Sequence, residues 1–222
     1  MNRPFDVYMI RILGDEVSET YANYCKKSWE VGGFDVNFFD AVTPDNNDLE
    51  NVLRFRERNT PQENACFASH YKLWRKSANT NRPILILEHD AYLVNPDMIQ
   101  YNPHVHLIYF GQHCMEAYLI NPWWAAEMCK NMKRLKEVWG PFGEMEYQLG
   151  MRLDTKLARK GRPHIRFLGP YAPVQHVIIP ELGTSILHKG KGGGEKTYTS
   201  SRVDASEKNL FRIVSLEDIN RE

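Results

Sequence analysis

The sequence predicts an α/β domain, a mostly parallel central sheet flanked by helices, and three observations carry that expectation. The chain opens on a strand, an amphipathic helix and a second strand. A short apolar run at Ile84–Leu87 ends in Glu88-His89-Asp90. Helix-period and strand-like segments then alternate as far as residue 168. A length of 222 residues with 42% hydrophobic content suits one compact domain, residues 1–222, with core enough to leave a cleft for a ligand.

Taken in order, Phe5–Ile12 is rich in β-formers and stops at Leu13-Gly14, which predicts the first strand. Glu16–Glu30 carries Val17, Tyr21, Tyr24, Cys25 and Trp29 at three- and four-residue spacings, a helix that Gly32-Gly33 ends. Asp35–Asp40 completes a β-α-β unit, so its two strands are expected to be parallel, with a ligand at their C-terminal ends. Thr43–Asp48 is a loop, and the polar stretch through Arg58 predicts no element.

Thr60, Pro61 and Glu63 supply an N-cap, a first-turn proline and the far half of a capping box, opening a helix to about Ala78. Ile84–Glu88 then reads as a buried central strand that delivers carboxylates to a cleft. Val105–Gly111 and Ala117–Ile120 are further strands. Asn121-Pro122 starts a helix to about Val138 whose Trp124, Met128 and Met132 share a face. A second helix spans about Gly143 to Lys160, with Met145, Leu149, Leu153 and Leu157 along one side, and His164–Leu168 is strand-like. From Gly169 the chain turns rich in Pro, Gly and Ser, and a flexible basic loop is expected near 189–202, around Lys189-Gly-Lys-Gly-Gly-Gly194.

The formal charge is zero, yet residues 152–202 hold ten Lys/Arg against three Asp/Glu. A stretch of that sign meets a diphosphate, a nucleic-acid backbone or plain solvent. No run approaches the roughly 18–20 apolar residues of a bilayer span, and the first residues lack a signal peptide's apolar stretch, so a cytoplasmic protein is expected. Cys25, Cys66, Cys114 and Cys129 are far apart and match no zinc spacing, which points to reduced thiols rather than a disulfide scaffold.

Carboxylates at the end of so hydrophobic a strand are costly unless they meet a cation or hydrogen-bond donors. Two oxygen ligands separated by one residue, Glu88 and Asp90, suit magnesium or manganese, hard cations that in turn grip a diphosphate. The bland alternative is a strand end that meets water.

The preceding helix reads Ala65-Cys66-Phe67-Ala68-Ser69-His70-Tyr71-Lys72-Leu73-Trp74, and the strand that follows ends Ile86-Leu87-Glu88-His89-Asp90. This block resembles glycosyltransferase family 25, which shows a G-C-A-x-S-H-x-x-x-W helix and a strand ending L-E-D-D. Cys66, Ser69, His70, Trp74, Leu87, Glu88 and Asp90 match it in order and spacing. Val7–Ile10 with Ile12, Phe39–Val42, and Ala117–Ile120 with Ala125 are similar more weakly, so the likeness runs over about residues 5 to 176. Ala65, Arg11 and His89 depart from the pattern, which has Gly, Asn and the first Asp of the acidic pair there.

The resemblance implies a GT-A fold, a Rossmann-like sheet with the nucleotide over the strand ends. It further implies a metal-dependent glycosyltransferase that moves a sugar from a nucleotide-sugar, a UDP-sugar, to an acceptor hydroxyl with inversion. On that pattern Glu88, Asp90 and a late histidine, His188 or its rival His176, hold Mn2+ or Mg2+. Ile10, Arg11, Asp40, Ser69, His70 and Glu88 meet the nucleotide or sugar, with helix fastening as the plainer role for Ser69 and His70. Glu146, which opens Glu146-Tyr-Gln-Leu149, is the expected base; Glu144 is its rival, because residues two apart on a helix face nearly opposite sides. The basic loop closing over the diphosphate as a lid would complete such a site.

The acceptor is a glycan on the family pattern. A phage-type DNA glycosyltransferase acting on hydroxymethylated bases is the alternative that the basic quarter favours. A non-catalytic nucleotide-sugar or glycan-binding protein is the alternative that His89 favours. A phosphoesterase with two metals is disfavoured, because the sequence lacks the His/Asp sets it needs.

Overall fold

The computed structural model describes residues 3–55, 57, 59–111, 116–132, 138, 165–167, 172–179, 181–182, 211–219 and 221. Its strands are β1 (Asp6–Arg11), β2 (Val36–Asp40), β3 (Ile84–Leu87), β4 (Ala91–Leu93), β5 (Leu107–Tyr109), β6 (Ala117–Ile120), β7 (Ile165–Phe167), β8 (Val174–Ile178) and β9 (Phe211–Ile213). The helices are α1 (Glu16–Val31), α2 (Pro61–Thr80), α3 (Pro122–Met132) and a short α4 (Leu216–Ile219).

Local chemistry sets the helix ends. Asp15 caps α1 by accepting from Ser18 N at 2.7 Å. The capping box of α2 closes as expected: Glu63 N donates to Thr60 Oγ1 at 3.1 Å and Thr60 N donates to Glu63 Oε2 at 2.9 Å. Asn81 ends that helix in the left-handed conformation, φ 53°.

The main sheet has the order β2-β1-β3-β6-β5-β7. β1 pairs in parallel with β2 and β3, and β5 with β7, while β6 runs antiparallel to both β3 and β5. Five of the six strands thus point one way, the mostly parallel sheet that the β-α-β opening predicts.

Side-chain alternation divides the core in two. Ile10, Ile84, Ile86, Leu107, Tyr109, Tyr118 and Ile120 pack with α2 and α3 on one face. Val7, Met9, Leu85, Leu87, Ile108, Ala117 and Leu119 pack with α1 on the other, where Val174, Val177 and Val214 join them. All four residues of β3 are buried, because both faces of this central strand are covered; hence the near-continuous apolar run.

The structure departs from the sequence expectations in specific places. β4, β8 and β9 form a separate three-stranded sheet, with β4 antiparallel to β8 and β8 parallel to β9, where only loop was expected after Gly169. Pro173 and Pro180 bracket β8, and that punctuation masked a five-residue strand whose partner lies about eighty residues earlier. The polar stretch after Val42 contains two 3₁₀ turns, Pro44–Asn46 and Asp48–Asn51. β5 is shorter than Val105–Gly111; α3 is described to Met132, and residues 133–137 of the expected helix lie outside the described residues. The helix expected from Gly143 to Lys160 and the basic loop near 189–202 lie outside the described residues.

Candidate active site

β3 stops at Leu87 because the chain turns: Ala91 N donates to Glu88 O at 3.1 Å, closing a tight turn over His89 and Asp90 before β4 begins. Glu88 still belongs to the ladder, since its N donates to Glu116 O at 2.8 Å, one pair beyond Leu87 and Ala117. Alternation sends Glu88 to the α2 face. The turn sends His89 to the α1 face and leaves Asp90 near groups of both helices.

On the α2 face, Glu88 Oε1 lies 3.5 Å from Nε2 of the buried His70. Cys66, His70 and Glu88 each bring a ligand atom within 4.8 Å of the others, so one helix and one strand end converge on a possible cation-binding group. Burial, then the charges of Glu88 and Asp90, push the Cys66 thiol well above its ordinary range. Behind His70 stands Tyr118: His70 Nδ1 and Trp74 Nε1 each lie 2.8 Å from Tyr118 Oη. Burial is the main cause that pushes the Tyr118 hydroxyl well above its ordinary value.

On the α1 face, His89 is 7% exposed, with Nδ1 3.4 Å from Ser18 Oγ and its ring 5.7 Å from that of Tyr21. Its Nε2 is buried without a hydrogen-bond partner among the described residues. Asp90 is 6% exposed, and its backbone carbonyl accepts from Val177 N at 2.9 Å. Burial, helped by the Asp90 charge and opposed by the hydrogen bond with Ile179, pushes Tyr21 up to about 12. Cys25 is pushed up chiefly by burial and then by Asp90, against the pull of Arg212.

At the rim, Arg11 and Asp40 end β1 and β2 in register and pair at 3.1 Å, with Arg11 also 4.3 Å over the Phe38 ring. Ile10 is buried in the α2-side core. The Ser69 hydroxyl accepts from Val42 N at 2.9 Å and donates to Ala65 O at 3.0 Å, tying α2 to the chain that leaves β2. In the opening loop Ile12 N donates to Ser18 Oγ at 2.9 Å and Gly14 N to Glu19 Oε1 at 3.0 Å.

The structure therefore brings together Glu88, His70 and Cys66, sets Arg11 against Asp40, and places Asp90 with Tyr21 and Cys25. His176 pairs with Ala91 in the β4–β8 ladder, one residue beyond Asp90. Glu144, Glu146 and His188 lie outside the described residues. Sequence reasoning gave no role to Ser18, Tyr21, Tyr118 or Glu116. Glu116 is 3% exposed, and a Cβ at Gly111 would lie 2.3 Å from its Oε2, so the glycine admits this carboxylate. Its signal was an acidic residue just before an apolar strand, the mirror image of Glu88 just after one.

Two carboxylates at the end of a central strand are oxygen donors of the kind that hard divalent cations take. The Cys66, His70 and Glu88 group is a softer set, nearer to zinc chemistry.

Residues 18–102 match the model of glycosyltransferase family 25, described as an LPS biosynthesis protein family. That segment contains the Cys66–Asp90 block and both sides of the acidic turn. A crystal structure of a glycosyltransferase involved in the glycosylation of the major capsid of PBCV-1 aligns with TM-score 0.50 at 14% identity, covering 81% of this chain and 87% of that one. That likeness bears on the fold alone. No curated protein matches. No described helix is long and apolar enough to cross a membrane. With the family segment at residues 18–102 and the acidic turn within it, this chain is a glycosyltransferase.

Proposed function

We propose that the enzyme transfers a sugar from a UDP-sugar to an acceptor hydroxyl, with inversion, at the C-terminal ends of β1 and β3. The observation that carries this reading is the acidic turn: two carboxylates follow a fully buried central strand, next to the helix of the family segment that carries Cys66 and His70. Glu88 and Asp90 would hold Mn2+ or Mg2+, with His188 or His176 as a further ligand. When bound, such a cation neutralises the charge that grows on the diphosphate leaving group.

The chain's own residues supply the rest. Arg11 and Asp40 stand at the rim where a nucleotide would lie, and the bond of Ile12 N to Ser18 holds the loop beside them. Glu146, with Glu144 as rival, takes the proton of the acceptor hydroxyl as the new glycosidic bond forms and the UDP leaves. The family's description as LPS biosynthesis proteins favours a glycan as the acceptor in this reading.

Thermal melting with a panel of nucleotide sugars, with and without Mn2+, tests the donor. A ligand that binds the folded state alone raises Tm by mass action, so one UDP-sugar should give a manganese-dependent shift. No shift with any sugar nucleotide would move the chain to the non-catalytic binding class. Glycan and hydroxymethylated DNA acceptors, offered side by side with the donor so found, then decide the acceptor.

A further inference from the structure

Trp74, Tyr118, His70 and Glu88 form a line of polar contacts with one self-consistent placement of protons. Trp74 Nε1–H can only donate, so Tyr118 Oη accepts from it at 2.8 Å. Tyr118 is fully buried, and its second hydrogen-bond partner among the described residues is His70 Nδ1, also at 2.8 Å. The phenolic proton therefore has one acceptor, Nδ1. A neutral imidazole that accepts at Nδ1 carries its own proton at Nε2, and Nε2 is the atom that faces Glu88 Oε1 at 3.5 Å. The opposite tautomer would leave the buried phenolic proton without an acceptor and set a bare nitrogen lone pair against a carboxylate, both unfavourable in a dry interior.

We infer that His70 is a positioning residue: Tyr118 and Trp74 fix it as an Nε2–H donor to Glu88, which holds one carboxylate oxygen in place and leaves the other for the cation. The inference rests on the proposed role of Glu88 as a cation ligand. It also removes His70 from the ligand set. Cys66, His70 and Glu88 are close enough to suggest a zinc-type centre, but in this tautomer the nitrogen that would ligate bears a proton. Motif residues Cys66, His70 and Trp74 thus act on Glu88 from behind. Ligand-orienting hydrogen bonds of this kind set the geometry and basicity of the group that binds the metal.

The test begins without activity. Long-range 1H–15N correlation on protein labelled at histidine nitrogen, with His70 assigned through His70→Gln, should show the Nε2–H tautomer in the wild type and its loss in Tyr118→Phe. Calorimetric titration of Mn2+ in the presence of UDP should then weaken about 10–100-fold in Tyr118→Phe and His70→Phe. His70→Gln, whose amide reaches the Nε2 position, should recover most of that loss, and UDP affinity without metal should be unchanged in Tyr118→Phe.

An Nδ1–H tautomer in a protein that binds Mn2+ overturns the inference while the proposed function stands. A thiolate charge-transfer band on adding Co2+, lost in Cys66→Ser, also overturns it, since it would show a metal on the Cys66 side. An Nε2–H tautomer in a protein that binds no Mn2+ retracts the cation reading and leaves nothing for His70 to position. Should His70→Phe fail to fold, the wild-type tautomer and Tyr118→Phe still decide.

Discussion

Glu88 and Asp90 are two residues apart and differ in their surroundings: Glu88 lies against α2, whereas Asp90 is near enough to act on groups of both α1 and α2. On the α2 side, Glu88 meets His70, His70 meets Tyr118, and Tyr118 meets Trp74. On the α1 side, His89 reaches Ser18 at 3.4 Å with one ring nitrogen and leaves the other buried without a partner among the described residues, while Asp90 lies near enough to Tyr21 and Cys25 to raise both. One side is a completed network; the other carries a residue that departs from the family pattern at the point where that pattern has an Asp. A continuous strand would have put both carboxylates on one face. The turn closed by Ala91 N to Glu88 O separates them, so sequence spacing alone overstated their likeness.

The largest effect that separates the two sides is on turnover. Glu88→Gln and Asp90→Asn are near-isosteric and each removes one charge. If both carboxylates act on the developing diphosphate charge, each should lower kcat by about 10²–10³-fold, the range seen when one electrostatic stabiliser is removed. Full turnover in Asp90→Asn would place Asp90 with the α1 core as a structural carboxylate and leave Glu88 to act alone. Loss in both, at unchanged Tm, would show that the turn still delivers two ligands.

This comparison also locates what was legible in the sequence. The capping box at Thr60, Pro61 and Glu63, the apolar run at Ile84–Leu87 and the Asn121-Pro122 start are local signals, and each element forms where its residues announce it. The motif Cys66, His70, Trp74 and Glu88 was legible as a family resemblance, yet the pattern could not show that Tyr118 links two of its members, His70 and Trp74. Tyr118 comes from β6, antiparallel to β3, and looks in the sequence like any aromatic in a buried strand. Likewise Ser18 is polar on the buried side of α1, a position with no periodicity to single it out until His89 is seen against it. β8 was missed because its pairing with β4 is long-range and prolines frame it.

The second effect is alkaline and belongs to the α1 side. Tyr21 is raised from 10.0 to about 12, so the folded protein holds its proton more tightly than the unfolded chain does. That contribution is present in full below pH 10 and is lost as pH rises from about 10 to about 12. At about 1.4 kcal/mol per unit, it amounts to at most about 3 kcal/mol. Urea unfolding measured across that window should fall less steeply in Tyr21→Phe than in the wild type. Equal slopes would mean that Tyr21 titrates normally and that Asp90 and burial act on it less than its surroundings imply.

A smaller effect is expected from Tyr118→Phe on the α2 side. The variant strands Trp74 Nε1 and His70 Nδ1 in the core without their shared partner. Losing a buried partner costs about 1–3 kcal/mol, so a fall of about 2 kcal/mol in denaturant stability is expected. A neutral result would mean that the network relaxes readily, and the fixed tautomer of His70 would lose its support.

The smallest effect, and the one that most sharpens the contrast, is His89→Phe. Phenylalanine keeps a ring beside Tyr21 while removing the buried Nε2 that has no partner among the described residues. Ser18 Oγ keeps its bond from Ile12 N, so the loop stays tied. Removing an unsatisfied polar atom together with one long 3.4 Å contact should be neutral or stabilising by up to about 1 kcal/mol. Two aromatic replacements on the two sides of one turn should then move stability in opposite directions. If His89→Phe instead costs as much as Tyr118→Phe, the His89 to Ser18 contact is a working hydrogen bond, and the departure from the family's Asp is a substitution of one tether for another.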